Sequence, residues 1–138
     1  MKLIIATKNE NKVIEFRAML EPLGFEVQSL LDFEDAMDVE ETGTTFEENA
    51  ILKATAIAKY YNTAVIADDS GLEIEALEGM PGVNSARYMG ETTPYVTKNL
   101  RIIELMKNTS NRKAAFVCAI AYQALNEPVK VFMYRLEV

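Results

Sequence analysis

The chain has 138 residues, enough for one domain, and its 49% hydrophobic and 25% charged content is that of a globular protein with a core of its own. Fourteen Lys and Arg against 21 Asp and Glu leave a net charge of −7, so neither a nucleic-acid backbone nor an anionic membrane surface is expected as a partner. The absence of His excludes Ser-His-Asp and Cys-His catalysis and His-ligated zinc, and the single Cys118 excludes an internal disulfide and a cysteine metal cluster, which fits a cytoplasmic location.

Residues 1–138 read as a single α/β domain without repeats or linkers. Lys2 to Ala6 predicts a short buried strand, followed by the polar turn Thr7-Lys8-Asn9-Glu10-Asn11. Val13, Phe16, Leu20 and Leu23 recur at helical spacing, with Gly24 as the C-cap. Phe25 to Leu30 predicts a second strand, and the acidic stretch Asp32 to Glu41 a surface loop. Thr45 and Glu48 have capping-box spacing ahead of a helix whose Phe46, Ala50, Ala54, Ile57, Ala58 and Tyr61 share one face. Thr63 to Ala67 predicts a buried strand closed by the turn Asp68-Asp69-Ser70-Gly71, and Leu72 to Leu77 a further strand before the loop Glu78 to Gly82. Thr93 and Pro94 read as N-cap and N1 of a helix through Met106. Arg112 to Tyr122 and Val129 to Val138 predict a hairpin around Asn126-Glu127-Pro128. The expected architecture is helices packed on a mixed, partly antiparallel sheet.

Three segments have residues suited to chemistry. Thr7 to Lys12 joins a strand to a helix start. Free backbone N–H groups there, with Lys8 and Lys12, suit a phosphate, although Asn9 or Asn11 acting only as a cap explains the turn equally well. Glu40 to Thr45 runs into a helix on which Asn49 and Lys53 share a face offset from the apolar stripe. A carboxylate, an amide and an ammonium in that order can grip a metal and a phosphate, or simply be solvated. Asp68 and Asp69 end a buried strand, a place suited to Mg²⁺, which takes one or two carboxylates and fills its shell with water and phosphate. With no His in the chain, a carboxylate is the natural general base for water.

These segments together resemble the inosine triphosphate pyrophosphatase (Ham1-like) family. The resemblance rests on Thr7 to Lys12, on Glu41-Thr42-Gly43 through Phe46-Glu47-Glu48-Asn49-Ala50 to Lys53-Ala54, on Ala67-Asp68-Asp69-Ser70-Gly71-Leu72 and on Pro81 to Tyr88; Arg112 to Cys118 matches less specifically. It implies an elongated mixed sheet flanked by helices, two lobes and usually a homodimer. It also implies Mg²⁺-dependent hydrolysis of the purine nucleoside triphosphates ITP, dITP and XTP to the monophosphate and pyrophosphate. On that resemblance Thr7, Lys8, Asn9, Glu10, Asn11, Lys12, Lys53 and Ser70 would bind substrate. Glu41 and Asp69 would hold Mg²⁺, Asp69 would orient or deprotonate the attacking water, and Asp68 would support its turn.

The resemblance covers roughly residues 1–122. The family's aromatic-Gly-aromatic-Asp-Pro and Ser-His-Arg segments, both close to the base, have no counterpart, since the last glycine is Gly90 and there is no His. The end, Val131 to Val138, therefore reads as a truncated or altered C-terminus. The phosphate and metal end of the site is expected and the base-reading end is not. Two other readings remain: a non-catalytic remnant that binds nucleotide or dimerises, and a Maf-like nucleotide pyrophosphatase, against which the Glu-Thr-Gly and Asp-Asp-Ser-Gly segments argue.

Overall fold

The computed structural model describes residues 1–85, 89 and 93–138, so Ala86, Arg87 and Tyr88 of the last strong matching run lie outside the described residues. Five strands, β1 (Lys2–Ile5), β2 (Glu26–Ser29), β3 (Ala64–Ile74), β4 (Ala114–Gln123) and β5 (Lys130–Glu137), form one sheet in the order β2-β1-β3-β4-β5. Among the described residues three α-helices, α1 (Glu10–Leu20), α2 (Phe46–Tyr61) and α3 (Tyr95–Leu105), complete the α/β fold. β1 is parallel to both β2 and β3. The Val138 amide bonds the Ala114 carbonyl, so β5 ends where β4 begins, and the short 124–129 connection makes the pair an antiparallel hairpin. The sheet is therefore mixed, as the sequence predicts.

The chain divides into two compact units, residues 1–69 with 119–133 and residues 70–118 with 134–138. In the first, β2 and β3 lie on opposite sides of β1. Right-handed crossovers then place α1 and α2 on opposite faces of these parallel strands. Leu3, Ile5, Val27 and Ala64 form a buried cluster closed by Phe16 and Leu20 of α1. Side chains alternate along a strand, so Ile66 and Asp68 share the face of Ala64, while Val65, Ala67 and Asp69 share the other. Pro22 lies in a 3₁₀ turn that follows α1, which is why the helix stops at Leu20 rather than running to Leu23. Gly24 closes that turn at φ 94°, where a side chain would be strained. The acidic loop is tied to the end of α2: Phe33 stacks on Tyr61, and the Tyr61 hydroxyl accepts the Met37 amide at 3.0 Å.

Three expectations beyond Ala67 are corrected. Asp68-Asp69-Ser70-Gly71 is not a turn, because β3 runs unbroken from Ala64 to Ile74, and Leu72 to Leu77 is its continuation into a 3₁₀ turn. Gly71 lets Ser85 approach the strand: a Cβ at 71 would collide with the Ser85 hydroxyl, which accepts the Leu72 amide and donates to the Gly82 carbonyl. The Pro81-to-Ser85 part of the sequence motif thus has a packing role. Pro94 precedes α3 with extended backbone rather than occupying its first turn. Arg135 of β5 reaches Glu73 of β3 at 2.9 Å. No described helix is long and apolar enough to cross a membrane.

Candidate active site

β1 pairs with β3 only as far as Ile5 opposite Ile66, and the Ala6 amide adds one bond to the Ile66 carbonyl. β3 then runs on, so Asp68 and Asp69 lie just beyond the carboxyl end of β1, beside Thr7. At this point the chain leaves β1 toward one face and approaches β3 from the other. Parallel α/β sheets open a crevice for ligands at such a reversal.

Side-chain alternation directs the two carboxylates to different helices. Asp68 points to the α1 face and pairs with Lys12 at 2.8 Å. Asp69 points to the α2 face, where Asn49 Nδ2 donates to its Oδ2 at 3.0 Å. Lys53, one turn further along α2, donates to the Asp68 main-chain carbonyl and lies 3.2 Å from Glu41 Oε1. The structure thus brings Lys12, Glu41, Lys53, Asp68 and Asp69 together from four separate stretches of the first unit. Thr7, Lys8, Asn9, Glu10 and Asn11 stand at the start of α1. There the Asn9 side chain accepts the Asn11 and Lys12 amides at 3.0 and 3.3 Å, and its own amide bonds the Thr7 hydroxyl. Asn9 is therefore the N-cap in this state. Ser70 is exposed on β3, next to Asp69.

The helix that supplies Asn49 starts where the sequence predicts, with Thr45 Oγ1 accepting the Glu48 amide at 3.1 Å. The reciprocal half of the capping box differs: the Glu48 carboxylate accepts the amide and hydroxyl of Thr44 instead. Asn49 itself is fully buried at 0% exposure, not on a face offset from the core. Its Oδ1 accepts the Gly43 amide at 2.7 Å. Both ends of its amide are thus used, one on the Glu41-Thr42-Gly43 loop and one on Asp69.

Burial pushes the Asp69 carboxyl above its ordinary value. The Asn49 hydrogen bond opposes that shift, Glu41 adds to it by repulsion, Lys53 opposes it and Asp68 adds to it. A carboxylate made more basic in this way, with Oδ2 held by Asn49, offers Oδ1 as a proton acceptor. Glu41 and Asp69 are linked through α2, since Lys53 reaches Glu41 and Asn49 reaches Asp69. Among the described residues no cluster of three or more acidic or Cys side chains forms a metal cage. Two hard oxygen donors nevertheless fit Mg²⁺, which keeps most of its water and takes few carboxylates.

Sequence reasoning offers the Asn49 amide for gripping a metal and a phosphate, whereas the structure turns it inward to Gly43 and Asp69. The available signal was its position: Phe46, Asn49, Ala50, Lys53, Ala54 and Ile57 follow helical spacing. An amide inside a buried stripe must find partners for both its ends.

A dITP/XTP pyrophosphatase of Exiguobacterium sp. (strain AT1b) is 58% identical over 120 residues, which is 87% of this chain and 61% of that protein. The Bacillus subtilis dITP/XTP pyrophosphatase is 48% identical over 129 residues, covering 92% of this chain and 65% of that one. The chain thus spans about three-fifths of the length of the curated relatives it matches. Among solved structures, the Staphylococcus aureus Ham1 protein superposes with a TM-score of 0.91 at 41% identity, over 99% of this chain and 70% of that one. A dITP/XTP pyrophosphatase from Mycobacterium abscessus gives 0.86 at 36% identity, over 99% and 73%. The model of the Ham1 family matches residues 3–137, nearly the whole sequence and every segment that builds the site, and the chain belongs to the Ham1 family.

Proposed function

We propose that this chain hydrolyses non-canonical purine nucleoside triphosphates (dITP, XTP and ITP) to the monophosphate and pyrophosphate in a Mg²⁺-dependent reaction. The observation that carries this reading is Asp69: buried, made more basic, fixed through one oxygen, within reach of the Lys53 and Glu41 charges, and next in the strand to Asp68, which pairs with Lys12. The names of the relatives support the substrate class.

In this reading the triphosphate lies at the start of α1, contacted by Thr7, Lys8, Asn9, Glu10, Asn11 and Lys12, with Lys53 and Ser70 beside it. Lys12 and Lys53 exchange their present carboxylate partners for phosphate oxygens. Asp69 Oδ1 accepts a proton from water. The water oxygen bonds to the α-phosphorus, the bond from that phosphorus to the bridging oxygen breaks, and its electron pair leaves with pyrophosphate. Glu41 and Asp69 are the residues that would hold Mg²⁺, which when bound supplies neutralisation of charge on the phosphates.

The test is initial-rate pyrophosphate release from dITP, XTP and ITP, with and without Mg²⁺, by the parent and Asp69→Asn. Removal of the base is expected to lower kcat by roughly 10²–10⁴-fold. Triphosphate binding with no release by the parent would replace this reading with that of a non-catalytic binder. A homodimer in the cytoplasm completes the proposal. The association of two copies is supported by Val96, Leu100 and Ile103, which form an exposed apolar stripe on α3.

A further inference from the structure

Asn49 touches both halves of the proposed metal site, and the reaction above uses only its bond to Asp69. Its Oδ1 accepts the Gly43 amide at 2.7 Å, two residues after Glu41. Its Nδ2 donates to Asp69 Oδ2 at 3.0 Å. The side chain is fully buried, so water does not compete for either bond. Space around it is specific as well. A Cβ added at Gly43 would come to 2.6 Å from Asn49 Oδ1 and 2.7 Å from Glu48 Cβ. Both neighbours sit on the first turns of α2 and have little room to retreat, so glycine at 43 is what permits the loop to reach the amide.

We infer that Asn49 is a positioning residue that clamps the Glu41-Thr42-Gly43 loop to Asp69, fixing the separation of the two carboxylates and leaving Asp69 Oδ1 as the oxygen presented to substrate water. The inference rests on the proposed pyrophosphohydrolase reading for its catalytic consequence, and on the two hydrogen bonds alone for the clamp. An amide suits the task because it donates at one end and accepts at the other. A carboxylate at 49 could accept from Gly43 but could not donate to Asp69. It would instead set a third negative charge against Asp69 and Glu41. Residues that orient metal ligands and reacting carboxylates typically matter by roughly 10–100-fold.

The experiment compares the full chain with Asn49→Asp, Asn49→Ala, Gly43→Ala and the Gly43→Ala/Asn49→Ala double variant, each first checked for folding by circular dichroism. Amide exchange at Gly43 reads the loop side: protection is retained in Asn49→Asp and lost in Asn49→Ala. Pyrophosphate release from dITP reads the consequence. Asn49→Asp is expected to lower kcat by about tenfold or more while KM for dITP stays within about threefold. Because the two residues act through one contact, the double variant should be no slower than the slower single variant. An Asn49→Asp protein with parental kcat, or multiplicative losses in the double variant, would overturn the clamp.

If the parent releases no pyrophosphate, the proposed function fails but the clamp is still decided. Asp69→Ala should then shift the Asn49 side-chain NH₂ resonances and accelerate exchange at Gly43. Unchanged signals in that variant would overturn it.

Discussion

Helices α2 and α3 have the same kind of sequence pattern and opposite orientations. On α2 the apolar side chains face in: Phe46, Ala50, Ala54 and Ile57 are at most 4% exposed. On α3 they face out: Val96, Leu100 and Ile103 are 61–70% exposed, while Lys98 is 3% exposed, its ammonium 4.8 Å from the centre of the Tyr95 ring. Periodicity reveals that a helix has an apolar stripe. Which way the stripe points depends on what else competes for the core. α2 contributes two polar side chains, Asn49 and Lys53, to its inward face, and each finds partners in the same unit. Its small alanines let it sit close to the strands. In α3 the buried positions are instead Lys98 and the C-cap Met106, with Ile102 half-buried between them, spaced four residues apart.

The largest effect that separates the two helices is the same truncation made in each. Ile57→Ala leaves a cavity in the α2 contact and should cost about 2–5 kcal/mol of stability. Ile103→Ala removes a side chain already in water and should stay within about 0.5 kcal/mol in the isolated protomer. Urea unfolding of both variants at low protein concentration checks this, and equal losses would mean that α3 is covered in solution. That outcome leads to the next measurement. If the α3 stripe is the contact between two copies, Leu100→Glu should leave protomer stability unchanged. It should weaken dimerisation by about tenfold or more, read by sedimentation velocity or light scattering over a concentration series.

How far the sequence revealed each region follows from the range of the interactions involved. β1, α2 and the hairpin of β4 and β5 were legible because their signals are local: an apolar run, a Thr45 cap and a turn at Asn126 to Pro128. Asp68 to Gly71 reads as a turn because Asp, Ser and Gly favour turns locally. β3 nevertheless continues through them, with Asp68 paired to a residue 56 positions away and Asp69 bonded to one 20 positions away. No window around residue 68 contains Lys12. The candidate site residues were legible as types and as a family pattern. Their common site is expected from that pattern, but which side chain meets which follows from the β2-β1-β3 order, which puts the ends of β1 and β3 side by side. Asn49 was hidden for the same reason, because its partners come from a loop and a strand on either side of it in the chain.

The inward polar face of α2 also has a cost that pH exposes. Asp69 has a folded-state value above its ordinary 3.8, chiefly through burial. Between the ordinary and the raised value the folded chain holds more protons than the unfolded one, so the contribution of Asp69 to stability falls as pH rises through that window. At neutral pH the ionised carboxylate is a net burden on the apo fold. Asp69→Asn keeps an acceptor for the Asn49 amide and removes the charge. It should therefore melt higher than the parent at pH 7, by roughly 2–4 °C for each kcal/mol relieved. The gap should close as pH falls toward the ordinary carboxylate range, as followed by calorimetry. Added Mg²⁺ should raise the parent toward or past the variant and leave the variant itself unmoved. A parent that melts higher than Asp69→Asn at pH 7 without metal would reverse the sign of the argument.

The smallest expected effect is a ratio close to one. Lys12, Lys53, Glu41, Asp68 and Asp69 all recognise charge, and the triphosphate is the same in every nucleotide. Choosing ITP over ATP means telling a keto oxygen from an amino group at the purine 6-position. Discrimination of that kind comes from fixed, buried polar groups that the wrong base leaves unpaired. Asn49 is the fully buried amide in the site, and both of its ends are committed, to Gly43 and Asp69. Contacts common to all triphosphates raise binding uniformly and cannot sort one base from another. The ratio of kcat/KM for ITP to that for ATP should accordingly lie within about tenfold for this 138-residue chain. Measuring both substrates, with XTP and dATP beside them, decides it. A ratio of a thousand or more would place base recognition on groups outside the charged cluster that β1, β3 and α2 assemble.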